Sequence, residues 1–475
     1  MISFYLKRNK SLCLFLAFCL FSILIVCLSN NFFEYNDILS ISGIVIILHY
    51  IITISYLCYF EKMSFISLQF FFLSFLYLFN FGNIVINLFD SNYSFSVYDF
   101  LGHYDQTANI KAIQFAFLFI NFIILGFILY NKFSNRKITN VLFNLKIFDI
   151  PNNQKYLKLL SLFIICTSFP IELYIVINKI IISLNQGYLA TYDFYISGIL
   201  VQIAQFYIIG FILLAFAYKN KKIIYNSIFL FLIIFQFVIM ISGNRGNPVV
   251  SLCILFLIYF SYFYKLKIQS FLILCFFAFL GLFVVTGISK IRVNSYENIG
   301  ALVESLFSID NNPVISVFDE FGFTLYTLSL VMKQQPGPYG FTYGMTYLAS
   351  FATILPNITS GLNSLVDFAS FASHIGGGHI GGNLIAELFY NFSYFGVFLA
   401  IPLGYFISFL SNLAIDCLNK EKMYLFSFLL LPSISVLWWV RDSFQNMPRM
   451  IVYSFIYLVV IKKGCDFFYN RGRKK

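Results

Sequence analysis

The chain has 475 residues, of which 60% are hydrophobic, 21% aromatic and only 11% charged, and it carries a net charge of +11. A soluble protein of this length needs more polar surface, since charged residues ordinarily make up about 25%, and a disordered chain needs low hydrophobicity. Both classes are excluded, which leaves a polytopic membrane protein; the mean hydropathy of +0.83 agrees.

Helices that cross a hydrocarbon core need apolar runs of roughly 17–25 residues. Such runs fall at 11–29, 38–59, 64–89, 112–130, 157–178, 198–218, 223–241, 248–264, 268–287, 383–411, 423–440 and 446–461. The pattern predicts an all-α bundle of about 12 transmembrane helices. None of the runs alternates as a barrel strand does. The first run has no small-residue cleavage site behind it and reads as a retained helix. The last is cleanly apolar only over Met450–Ile461, so its helix is expected to begin before Pro448 and to carry Arg449 into the outer leaflet. Three regions follow: 1–287 with nine spans, 288–382 as one large external loop, and 383–475 with three spans and a basic tail.

Lys and Arg mark the cytoplasmic side of short loops. With both termini cytoplasmic, the inner segments hold 23 of the 31 cations and five of the 20 acids. The inner side is then +18 and the remainder −7, which together make the net +11. The basic balance is therefore a topology signal, and no aromatic-plus-basic module for nucleic acid is present. All nine cysteines fall in spans or on the inner side, with no CxxC spacing, so neither a disulfide framework nor a metal site is expected.

The external loop is the longest connection, and long structured loops are usually functional. Pro313–Met332 reads as an amphipathic helix with Asp319 and Glu320 near its middle, ended by Pro336-Gly337-Pro338. Phe341–Leu355 is apolar enough to lie on the membrane. The run Gly376-Gly377-Gly378-His379-Ile380-Gly381-Gly382 leads into a span that opens with Asn383 and Glu387.

Arginine is distributed unevenly. The inner side has four Arg to nineteen Lys, the outer four to four. Arg245, Arg292, Arg441 and Arg449 flank separate outer span ends, against the orientation rule. Guanidinium is a planar fork of donors suited to phosphate oxygens. If these ends converge, they form an anion site at the membrane surface. Weaker signals are Glu172 after Pro170 in the fifth span, Glu34 and Asp37 in the first external loop, His49 as a packed polar residue and His103 as a loop residue.

Two motifs carry a resemblance. Ser242-Gly243-Asn244-Arg245-Gly246 is similar to the Ser/Gly-x-Arg-Gly turn of O-antigen polymerases and ligases, and Gly376–Phe392 to the polymerases' Gly-rich approach to the span after the loop, with its Glu and Asn-Phe. Here Ser393-Tyr394-Phe395-Gly396 follows, where many members have Gly directly. The layout also resembles the Wzy-type repeat-unit polymerases over most of the chain. That resemblance implies an inner-membrane glycosyltransferase of the type C lineage, with its site facing the periplasm. It would transfer a growing glycan from undecaprenyl diphosphate onto a lipid-linked repeat unit, without nucleotide sugar, cofactor or metal. Its partners would be undecaprenyl-diphosphate-linked glycans, membrane lipids and a chain-length regulator. Arg245 and Arg292 would then hold the diphosphate with Arg441 or Arg449 in support, and Glu387, His379, Glu320 or Asp319 would take the acceptor proton. An O-antigen ligase shares the arginine turn and the loop. A lipid-linked oligosaccharide flippase shares the span count, but its expected internal repeat is missing.

Overall fold

The computed structural model describes residues 2–91, 93, 95, 98–133, 143, 148, 150–151, 153–187, 190–191, 193–194, 196–242, 246–264, 313–336, 340–354, 368–376 and 380–473. Its framework is helical. In chain order the main helices are α1 (Ile2–Leu28), α2 (Tyr35–Tyr59), α3 (Leu68–Phe89), α4 (Gln106–Phe133), α5 (Gln154–Gln186), α6 (Gly198–Ala217), α7 (Lys222–Ile241) and α8 (Gly246–Ile258). After them come α9 (Pro313–Gly322), α10 (Thr324–Gln334), α11 (Met345–Ala352), α12 (Phe368–Gly376), α13 (Leu384–Phe392), α14 (Ala400–Asn419), α15 (Met423–Trp439) and α16 (Asn446–Arg473). Among the described residues, ten helical segments are long and apolar enough to cross a membrane, and α15 is a shorter apolar helix. The chain is a multi-pass membrane protein. The expected span 268–287 lies outside the described residues.

Local chemistry sets several boundaries. Ser67 caps α3 by accepting from the Phe70 N–H at 3.2 Å, and Asn153 caps α5 by accepting from the Lys155 N–H at 2.9 Å. Gly187 ends α5 at φ 84°, a conformation that suits glycine.

The two ends of the sequence are packed into each other. Where α4 crosses α14, Gly126 and Gly404 face one another. A Cβ on either would lie 2.3 Å from the carbonyl oxygen of Ile401 or Ile123. Small residues at such a crossing let backbones approach, which is how helices associate where no water drives them together. Polar pairs tie other early helices to late ones: Gln69 donates to Ser408 at 2.7 Å, Asn383 to Asn80 at 2.9 Å and Tyr156 to Asp466 at 2.7 Å. His49 is fully buried between Tyr77, at 2.5 Å from Nδ1, and Asn121, whose Oδ1 is 3.0 Å from Nε2. Asn121 donates its own amide to the Phe117 carbonyl. Its Oδ1 therefore accepts from Nε2–H, and Tyr77 donates to Nδ1. This is a packing role.

Two expectations are modified. The run at 383–411 is broken rather than continuous. Ser393 has φ 55°, and a tight 3-10 stretch over Ser393–Leu399 separates α13 from α14. Gly396 makes the bend possible, because a Cβ there would sit 2.8 Å from the Leu388 carbonyl oxygen. The helix expected at 313–332 forms as α9 and α10, but its acidic turn is not solvated: Asp319 is 1% exposed. Residues Thr324–Met332 of α10 are all buried. By length and composition Val314–Gln334 could cross a membrane. Its contacts tie both halves to the connection between α3 and α4. Tyr93 donates to Asp319 at 3.4 Å, and Lys333 pairs with Asp105 at 3.5 Å. Gly82 and Gly322 let α9 lie directly on α3 near its C-terminal end.

Candidate functional site

At that same end of the bundle, glycines bring together the start of α8, the residues just before α13 and the end of α15. A Cβ on Gly246, the residue after Arg245, would stand 2.1 Å from Cζ3 of Trp438, so the first residue of α8 packs directly on that indole. A Cβ on Gly382 would lie 2.7 Å from the backbone carbon of Asp442. Gly381 and Gly382 therefore run along residues 441–443, and the Leu384 N–H reaches the Val440 carbonyl at 3.4 Å. No larger residue fits either contact.

Arg441 sits where these segments meet. Its guanidinium carbon lies 5.9 Å from the Phe79 ring centre and 5.7 Å from that of Phe321, one aromatic from α3 and one from α9. With Gly246 and Trp438 these rings line a small hollow. Cation–π contact holds the group for about 0.5–2 kcal/mol without using its N–H donors. Among the described residues no carboxylate or carbonyl accepts from that guanidinium. The neighbouring Asp442 is engaged elsewhere, accepting from Trp438 Nε1, from Asn446 at 3.0 Å and from the Ser443 N–H at 2.8 Å. Arg441 is thus oriented by faces while its donor edge stays available to an anion.

Glu387 is the buried counterpart. It is 0% exposed. Its Oε2 accepts from Trp439 Nε1 and from the Phe444 N–H, each at 2.9 Å, and Thr346 Oγ1 lies 3.4 Å from Oε1. One turn on, Asn391 uses both ends of its amide. Its nitrogen donates to Thr346 Oγ1 at 2.7 Å and to the Glu387 carbonyl at 2.8 Å, while its oxygen accepts from Thr342 Oγ1 at 2.8 Å and the Gly344 N–H at 3.1 Å. Asn383 caps α13, accepting from the Ile385 N–H at 2.7 Å, and donates to Asn80 and to the Thr324 carbonyl. The three polar residues of the Asn383–Asn391 segment therefore stitch α13 to α3, α10, α11 and the 440–444 connection.

The other sequence-selected residues are placed apart. Arg449 donates through Nε to the Thr353 carbonyl at 2.9 Å, beside Tyr453, which donates to the Ile354 carbonyl at 2.6 Å; both cap the end of α11. Glu320 is half-buried on α9. Glu34 and Asp37 are exposed at the start of α2, and His103 is exposed on the connection before α4. Arg245, Arg292 and His379 lie outside the described residues. Among the described residues no cluster of three His, Cys, Asp or Glu side chains could hold a metal ion.

The family model for O-antigen polysaccharide polymerase Wzy matches residues 11–471. The chain belongs to this family. It is also similar to Protein CapE of Staphylococcus aureus, at 26% identity over 357 residues, covering 73% of this chain and 74% of that protein. No solved structure matches it. Membership of the Wzy family makes this a polysaccharide polymerase of surface-polysaccharide synthesis.

Reading the sequence alone did not single out Phe79, Phe321, Trp439 or Thr346. In a chain with 63 Phe and 33 Tyr, an aromatic that holds an arginine has no distinguishing mark. Trp439 was traceable, since only two Trp occur and they stand adjacent, just before Arg441.

Proposed function

We propose that this polymerase joins oligosaccharide repeat units carried on undecaprenyl diphosphate, working at the outer, periplasmic face of the inner membrane. In this reading both termini are cytoplasmic, and the end of the bundle that bears Arg441 faces outward. The growing glycan leaves its diphosphate and attaches to a hydroxyl of the next lipid-linked unit. The observation that carries the proposal is Arg441, ring-held between Phe79 and Phe321 with no acid partner among the described residues, in one hollow with Gly246, the residue that follows Arg245 in the chain.

Chemistry follows from that placement. Negative charge grows on the bridging phosphate oxygen as the glycosidic bond breaks, and fixed cations stabilise it without reorganising. Arg441 and Arg245 are assigned to the diphosphate, with Arg292 in support, while Arg449 is assigned to holding the end of α11. Glu387, with both oxygens already facing donors, is assigned to positioning: it fixes Trp439 and the 440–444 backbone that presents Arg441. His379 and Glu320 are the acid–base candidates that the sequence offers.

The test is complementation in a strain lacking the polymerase. Arg441→Ala and Arg245→Ala should express normally and leave single repeat units in place of a ladder. Arg441→Lys should recover little, because a point charge lacks the planar fork. Full ladders from both alanine variants would overturn the assignment. Finished polymer retained on its lipid carrier would instead indicate ligation.

A further inference from the structure

A second polar feature lies on the other face of α8. Ser242 and Asn247, which bracket the arginine turn, line a cavity of about 130 Å³ bounded by α5, α6, α7, α8 and α15. This is well above the roughly 10–15 Å³ that one water requires. Glu172 and Lys179, two turns apart on α5, project into it with Gln205, Gln236 and Ser251. Gln236 donates its amide to Tyr207 at 2.6 Å, so its carbonyl is the end left to accept. A carboxylate, an ammonium, amides and hydroxyls around one space inside an apolar bundle are expensive unless something polar fills it. Mixed donors and acceptors suit a hydroxyl-rich neutral group better than an ion alone.

The two buried-span acids differ in kind. Glu387 is enclosed and held by Trp439 and the Phe444 N–H. Among the described residues the Glu172 carboxylate accepts no hydrogen bond, and it faces the same space as the Lys179 ammonium, which attracts it without a close ion pair. The cavity and Arg441 lie on opposite faces of the first turns of α8, because Pro248 and Ser251 line the cavity while Val249 and Val250 line the arginine hollow. Two substrates meeting across a helix end is what transfer between two lipid-linked glycans demands.

We infer that the Glu172 cavity is the acceptor subsite, holding the terminal sugar of the incoming repeat unit, and that Glu172 takes the proton of its attacking hydroxyl. This rests on the polymerase reading above. The acceptor oxygen bonds to the anomeric carbon of the donor glycan. The bond from that carbon to the diphosphate oxygen breaks, with the electron pair leaving on the phosphate. The hydroxyl proton passes to the Glu172 carboxylate, which later returns it to water.

The experiment uses the full-length protein in liposomes with a synthetic lipid-diphosphate-linked repeat unit, following chain growth on gels. If the unaltered protein makes no ladder, the polymerase reading itself fails. Where it does, Glu172→Gln should slow elongation by about 100-fold or more, the usual worth of a general base. Affinity for the lipid-linked donor and the unfolding temperature should stay unchanged, and Glu172→Asp should recover part of the rate. Val201→Phe, which fills the cavity and leaves the carboxylate, should raise the acceptor KM with little change in donor affinity. Near-normal elongation by Glu172→Gln, or loss of its fold, would overturn the proposal, since the carboxylate would then be idle or structural. An unchanged acceptor KM in Val201→Phe would overturn the subsite.

Discussion

Glu387 illustrates how a carboxylate is kept inside a bundle. An ionisable group at that depth is costly unless its lone pairs are met, and here Trp439 and the Phe444 backbone meet them. Trp439→Phe deletes one donor while keeping most of the ring. It should cost about 1–3 kcal/mol, the penalty for stranding a buried polar atom, seen as a lower unfolding temperature in detergent. Glu387→Gln can still accept from both donors through its carbonyl and should keep a polymer ladder, whereas Glu387→Ala should lose the fold and the ladder together. A folded but inactive Glu387→Gln would show that the group handles a proton instead. At Gly246 the mechanism is exclusion. Gly246→Ala drives a methyl into Trp438, and overpacking of this kind costs about 1–3 kcal/mol; shortened chains at normal protein levels are expected. The sequence marked Glu387 and the glycine turn as unusual. It did not disclose their partners, because Thr346, Trp439 and Phe444 stand 41, 52 and 57 positions away.

Helices were legible where one physical quantity decides them. Length and hydropathy place eleven of the twelve expected spans on described helices, and boundaries shift where caps such as Ser67 and Asn153 act. The fate of α9 and α10 was not legible, because an apolar 21-residue segment satisfies the criterion for a span whether it crosses the bundle or lies against one end. Tyr93 and Asp105 tie the segment to the connection between α3 and α4, and hydropathy does not weigh such contacts. The α4–α14 crossing is the element whose failure should be most visible. Gly404→Leu cannot be accommodated by rotamer change, since the first added carbon already meets the Ile123 carbonyl oxygen. Loss of a monodisperse peak on size exclusion in detergent is expected, and an unaltered elution profile would show that the helices can separate.

For the whole molecule, charge and packing make separate statements that can be compared. Placing +18 on the inner side predicts which connections face the cytoplasm. One contact agrees: Lys219 pairs with Glu421, joining two connections that the charge count puts on the same side. The partner ammonium holds the Glu421 carboxyl below its usual value, and the carboxylate holds the Lys219 ammonium above its own. Stability from Glu421 is therefore lost as pH falls through its depressed pKa, and stability from Lys219 as pH rises through its raised one. Ordinary values are about 4.3 and 10.4, so the contribution should be flat from about pH 5 to 9. A Lys219→Met variant should unfold with a constant offset from the unaltered protein across that window. A membrane-impermeant thiol reagent should label cysteines placed at Lys219 or Lys62 only after the inner face is opened.

The polar pairs between the first helices and the last also set an order of events during synthesis. Asn80 is separated from its partner Asn383 by 303 positions. Translation at about 5–20 residues per second leaves that amide without its partner for about 15–60 s while the intervening helices are made. Gln69, whose partner is Ser408, waits longer still. The first helices must therefore be sheltered during that interval by the insertion machinery or by one another. A nascent chain stopped before α13 is accordingly expected to be a substrate for membrane proteolysis, and slow translation of the 303 positions from Asn80 to Asn383 should lower the yield of this polymerase in a cell.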